Sequence, residues 1–98
     1  MTTYFNNKNG NAYEVLARYF DDVMLLETKR HHYIVARWVE TTDEDFFMGE
    51  WDSGHYWMTD KQGAIEDFFK TAYEEYKYNH AWEDYMTIEE FKRLYEEY

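Results

Sequence analysis

Apolar and polar residues alternate with a period of two through the first forty residues, and recur at helical spacing through the last forty. The alternation is clearest in Ala12–Tyr19, where Tyr13, Val15, Ala17 and Tyr19 interleave with Glu14, Leu16 and Arg18. A short Tyr4-Phe5 strand precedes it. Between the two, Asn6-Asn7-Lys8-Asn9-Gly10-Asn11 is a turn signal, because Asn and Gly accept the left-handed conformations that tight turns require. Asp21-Asp22 predicts a turn into a strand at Val23–Glu27, and the charged stretch Thr28–His31 a turn into His32–Val39. In that last strand Ile34, Ala36 and Trp38 fall on one face, and Tyr33, Val35, Arg37 and Val39 on the other. Thr41–Asp45 reads as a polar loop, and Phe46–Trp51 with His55–Met58 as a further hairpin around Asp52-Ser53-Gly54.

The period then changes. Thr59 stands three residues before Gln62 and Thr87 three before Glu90, each a capping-box pattern that predicts a helix start. Ile65, Phe68, Phe69, Ala72 and Tyr76 follow the first, and Ile88, Phe91, Leu94, Tyr95 and Tyr98 the second. The intervening Asn79–Met86 reads as a loop or a single helical turn. Strands followed by helices predict an α+β domain: an antiparallel β-meander of four to five strands, then two amphipathic helices packed on one sheet face. Ninety-eight residues make a single domain, with 1–58 mainly β and 59–98 mainly α.

So acidic a chain invites a reading of disorder, but an aromatic content of 22% argues against it, because disordered chains are poor in aromatic residues. With no Cys there are no disulfides, thiolate metal sites or Cys nucleophiles. The N-terminus, Met1-Thr2-Thr3-Tyr4, has no signal-peptide pattern, and no apolar run approaches the roughly 20 residues that span a bilayer. These features predict a soluble cytoplasmic protein that does not bind membranes.

The charge is unevenly placed. Residues 1–39 hold five basic and four acidic side chains, a net charge of +1, whereas residues 40–98 hold five basic and seventeen acidic ones, a net charge of −12. Glu40, Asp43, Glu44, Asp45, Glu50 and Asp52 lie in a stretch, 40–57, that has no Lys or Arg and is interleaved with Phe46, Phe47, Trp51, Tyr56 and Trp57. Glu74-Glu75 and Glu96-Glu97 are expected in the last turns of their helices, where the dipole disfavours acids by about 0.3–1 kcal/mol. Glu66 with Lys70 and Glu89 with Arg93 are expected helical ion pairs. Rings flanked by carboxylates suit a protein-binding surface, and the candidate residues are Asp43, Glu44, Asp45, Glu50, Trp51, Asp52, Glu74, Glu75, Glu96 and Glu97. The partner should be basic, and nucleic acid itself repelled.

No catalytic constellation emerges. His31 and His32 are adjacent and point to opposite faces of a strand, His55 and His80 stand apart, and no pair has zinc-site spacing. Asp52, Ser53 and His55 lie too close in one turn to place a base between orienter and nucleophile. The four Gly residues form no phosphate loop, so neither enzymatic activity, metal nor cofactor is expected.

Small size, absent Cys, acidity and aromatic richness together resemble the DNA-mimicking inhibitors of phages and mobile elements, the anti-CRISPR and antirestriction proteins. The resemblance is compositional and covers mainly residues 40–98, with a loose similarity of the Tyr/Glu-rich helices to antirestriction proteins. No family motif is matched, so no functional positions carry over. It implies an inhibitor that occupies the nucleic-acid or PAM-reading groove of a host nuclease or Cas effector, inside the bacterial cell. The alternative is a non-mimetic interaction module, or an accessory protein of a mobile element, that uses an aromatic patch.

Overall fold

A computed structural model describes residues 2–6, 8–20, 23–39, 48–49, 51–79 and 86–94, with the backbone alone at 2, 38, 48, 52, 53 and 79. Strand β1 (Thr2–Asn6) pairs with β2 (Ala12–Tyr19) through the predicted Asn-rich turn. Asn6 Oδ1 accepts the backbone N–H of Lys8 at 2.9 Å and of Asn9 at 3.1 Å, while Gly10 takes the left-handed φ of 73°. Strand β3 (Val23–Glu27) turns into β4 (Tyr33–Val39) in the same way. There Thr28 Oγ1 accepts the N–H of Arg30 at 3.2 Å and of His32 at 3.1 Å, and His31 carries the left-handed φ of 60°.

Two further strands, β5 (Met48–Gly49) and β6 (Trp51–Met58), depart from the expected hairpin. Asp52-Ser53-Gly54 is not a turn: it lies inside β6, with Ser53 opposite Arg37 and Gly54 opposite Ala36. The Trp51 indole lies close over Gly54, where a Cβ would come within 3.2 Å of the indole nitrogen. The sheet order is β5-β1-β2-β3-β4-β6, antiparallel throughout except for β5 beside β1. Only residue 50 separates β5 from β6, yet they border opposite ends of the sheet. The sheet must therefore curl until its two ends meet.

Curling gives the sheet an inner and an outer face, each with its own core. Tyr4, Tyr13, Met24, Leu26, Ile34 and Ala36 pack inside, joined by Val39 and the partly buried Val15 and Trp51. The outer cluster holds Ala17, Tyr19, Val23, Leu25, Tyr33 and Val35 and is covered by helices. Val23–Leu26 are all fully buried, which explains the unbroken apolar run of β3. A β-bulge between Val15 and Ala17 corrects the expected single face of β2. Leu16 is the extra residue, so Tyr13 and Val15 face the inner core while Ala17 and Tyr19 face the helices. The expected face of Trp38, the Asp21-Asp22 turn, the Thr41–Asp45 loop, Phe46 and the stretch 80–85 fall outside what is described.

Helix α1 (Lys61–Asn79) lies over β3, β4 and β6, and presents Ala64, Phe68, Phe69, Ala72 and Tyr76 to the outer core. Its cap is Asp60, one residue after the expected Thr59: Asp60 Oδ1 accepts the Gly63 N–H at 2.9 Å. Gly63 is the residue that lets the Trp57 ring lie against the first turn, since a Cβ there would come within 2.8 Å of the ring. Helix α2 (Ile88–Leu94) is capped as expected, Thr87 Oγ1 accepting the Glu90 N–H at 3.3 Å. Phe91, 1% exposed, anchors it among Tyr19, Tyr73 and Tyr76 at centroid distances of 5.5–5.6 Å. Two tyrosine hydroxyls of α1 satisfy the chain just before α2: Tyr73 donates to the Met86 carbonyl at 2.8 Å, and Tyr76 accepts the Met86 N–H at 3.1 Å.

Urea unfolding should rank these contacts. Asp60→Ala and Thr87→Ala should each cost about 1 kcal/mol, and Thr59→Ala close to nothing. Gly63→Ala, normally favourable by roughly 1 kcal/mol inside a helix, should here destabilise. Phe68→Ala in the outer core should cost about 3–5 kcal/mol.

Candidate partner-binding surface

Helix α1 sorts its acids by side. Asp67, Thr71 and Glu75 recur every four residues beside the core stripe and face the sheet. Asp67 Oδ2 receives His55 Nδ1 at 2.7 Å and Trp57 Nε1 at 2.9 Å from β6, and Asp67 Oδ1 accepts the Thr71 hydroxyl at 3.3 Å. A carboxylate only accepts, so His55 carries its proton on Nδ1. Glu75 Oε1 accepts Arg37 Nη2 at 2.7 Å and Nε at 3.2 Å, tying α1 to β4. Both carboxylates are 12% exposed and serve the fold.

The other side of α1 is solvated. Glu66, Lys70, Glu74 and Tyr78 form an exposed stripe at intervals of four residues, with Tyr78 81% exposed. Among the described residues, neither Glu66–Lys70 nor Glu89–Arg93 forms the ion pair expected from spacing; the pairs present are Arg37–Glu75 and the histidine contacts His31–Glu27 and His55–Asp67. Arg37, Glu74, Glu75 and Tyr78 line a depression of about 430 Å³, in which the Arg37–Glu75 pair forms a neutralised wall beside a free carboxylate and a free ring.

The candidate residues thus separate. Glu74 is exposed and Glu75 is engaged by Arg37. Neither sits in a last turn, because α1 continues to Asn79 and its last turn carries Lys77, over the Tyr73 ring at 5.2 Å. The dipole conflict expected for Glu74-Glu75 is therefore absent. Trp51 turns inward, its ring 5.3 Å from Tyr13 and 6.1 Å from Tyr4. Asp52 lies in β6 with only its backbone described, and Asp43, Glu44, Asp45, Glu50, Glu96 and Glu97 lie outside the described residues, as does His80. Tyr78 was missed by sequence reasoning, although its spacing of four from Glu74 signals a shared face. Asp67 was missed too, and its signal was the Asp67/Thr71/Glu75 recurrence.

On the sheet, hydrogen bonding to Glu27, with burial and the charge of that carboxylate, raises the Tyr33 phenol above its ordinary value. Among the described residues no group of three His, Asp or Glu side chains is placed to hold a metal ion, and no helix is long and apolar enough to cross a membrane. Comparison with family models, curated proteins and solved structures found no match for this chain.

Neutralising single acids should separate the two sides of α1 in equilibrium unfolding. Glu75→Gln and Asp67→Asn each weaken charge-assisted hydrogen bonds to the sheet and should cost about 1–3 kcal/mol. Glu74→Gln should stay within about 0.5 kcal/mol of the parent.

Proposed function

We propose that this chain is an acidic inhibitor that binds the nucleic-acid-binding surface of a host defence nuclease, in the manner of anti-CRISPR and antirestriction proteins. The observation that carries the reading is the exposed side of α1. Glu74 stands there without a described basic partner, beside the exposed Tyr78, and Glu66 lies further along the same stripe beyond Lys70. An exposed ring beside an unpaired carboxylate offers contact area together with attraction for Lys and Arg. The net charge of −12 over residues 40–98 supplies the long-range steering. Lys61 and Lys70 interrupt the exposed face, so the likeness to nucleic acid is one of overall charge and not of a continuous phosphate ladder.

A second reading has its own support in Tyr56 and Met58, 65% and 60% exposed on the outermost strand β6. It describes an interaction module that docks through these apolar side chains, with acidity serving solubility. Salt separates the two, since screened charges lose their attraction and apolar contacts do not.

The test immobilises the chain, recovers nucleases from a bacterial lysate at low salt, and measures their DNA cleavage with and without the chain. Inhibition should fall steeply with added salt. Glu74→Lys and Tyr78→Ala should each weaken it about tenfold, and reversing Asp43, Glu44 and Asp45 together should abolish it. Glu14→Lys makes the same charge change as Glu74→Lys on the neutral half and should matter little. Equal loss from Glu14→Lys and Glu74→Lys would show that only total charge counts. Salt-independent binding lost in Tyr56→Ala would favour the second reading.

A further inference from the structure

The end of the sheet that carries both hairpin turns has a second concavity of opposite character. The β2–β3 ladder stops at Glu14 opposite Glu27, whereas β1–β2 runs on to Phe5 opposite Ala12, and β3–β4 begins at Glu27 opposite Tyr33. Beyond Glu14 and Glu27 the described residues of the two hairpins are not hydrogen-bonded to each other, and a cleft of about 570 Å³ opens between them. That volume lies within the range of small-molecule sites, roughly 300–1,000 Å³.

Both walls are fastened by hydrogen bonds among their described residues. One is the Asn-rich turn, fastened by Asn6 Oδ1 and by Asn9, whose side-chain amide donates to the Tyr13 hydroxyl at 3.0 Å. The other is the Thr28–His32 turn, fastened by Thr28 Oγ1 and closed by the Thr28 N–H to His32 carbonyl bond at 2.8 Å. A cleft between two such turns loses little conformational freedom when it binds.

Its lining is unusual for so acidic a chain. Lys29, Arg30 and His32 line it from the second hairpin, and Phe5 (47% exposed) and the largely buried Tyr13 from the first, with no carboxylate among the described lining residues. Glu14 and Glu27 line a smaller neighbouring depression of about 240 Å³, where Glu27 accepts a hydrogen bond from the Tyr33 hydroxyl and has His31 Nδ1 3.6 Å away.

We propose that this cleft binds a small aromatic anion of the nucleoside monophosphate class. Arg30 and Lys29 meet the phosphate, the guanidinium by paired hydrogen bonds and the ammonium as a point charge. The exposed Phe5 ring offers the base a stacking face. A mononucleotide meets this cluster with Glu14 and Glu27 in the adjoining depression, while charges beyond a Debye length of about 8 Å are screened at physiological salt. A long polyanion would extend over the acidic half and be repelled, so the ligand is a monomer and not a nucleic acid strand. The site uses residues of the neutral half and stands independently of the function proposed above.

The test is calorimetric titration of the full chain with adenosine monophosphate, adenosine, inorganic phosphate and a single-stranded oligonucleotide, at physiological salt. The monophosphate should bind, with adenosine and phosphate each at least about tenfold weaker. Arg30→Glu and Phe5→Ala should each weaken it about tenfold or more. Arg30 is exposed and its turn bond comes from the backbone N–H, so the fold should survive the first exchange. Lys92→Glu, the same charge change beside the groove between β2 and the helices, should leave affinity unaltered. Absence of saturation below about 5 mM monophosphate would overturn the proposal. So would phosphate binding as tightly as the nucleotide, tighter binding of the oligonucleotide, or equal losses from Lys92→Glu and Arg30→Glu.

Discussion

The Trp51 indole packs 5.3 Å from Tyr13 and 6.1 Å from Tyr4, although its strand stands four places from β1 in the ladder that runs through β2, β3 and β4. In a flat sheet four spacings of about 4.8 Å would hold these strands about 19 Å apart. The ring contact is possible only because the sheet closes on itself, and it seals the inner core where the end strands meet. Closure has two consequences. It covers the second face of β3 and β4 without a second helical layer, and it leaves the whole outer face to α1 and α2.

Helix α1 carries the other structural burden. Its core stripe supplies apolar area, while Asp67 and Glu75 along one flank bind β6 and β4. These acids are surrounded by donors, so they contribute to position as well as to energy; removing either leaves donors unsatisfied in a partly buried place. Glu74, one residue from Glu75, is rotated by about 100° and is exposed. Neighbours in sequence thus have opposite duties, which is why the charge of this chain cannot be assigned to function or fold by counting.

The abundance of aromatic residues has a similar double explanation. Tyr73 and Tyr76 place rings around Phe91 and at the same time use their hydroxyls to satisfy both backbone groups of Met86. A Phe would fill the same volume and leave those groups unpaired. Tyr78, at the end of the same helix, has no such employment and lies beside Glu74, where a partner can reach both.

Local rules were enough for much of this. The β-then-α order, the two hairpin turns, the Thr87 cap and the apolar stripe of α1 all depend on interactions within a few residues, and such interactions are written directly in the order of side chains. Apart from the one-residue shift of the α1 cap and the two helical ion pairs that do not form, the failures share the opposite property. Gly54 looks like a turn residue, yet it lies in a strand beneath an indole, and Trp51 looks like a surface anchor, yet it faces Tyr4 and Tyr13 on distant strands. The bulge at Leu16 shifts the phase of β2, and alternation alone cannot say which of two faces a residue will meet once an extra residue is inserted. Of the acids, sequence marked Glu74 and Glu75 alike, and only the tertiary fold separated them, because Arg37 arrives from a strand 38 residues away. The order of elements and the hairpin turns belong to the sequence alone, and the helix starts to within one residue; closure of the sheet and the division of the charges required the distant partners to come together.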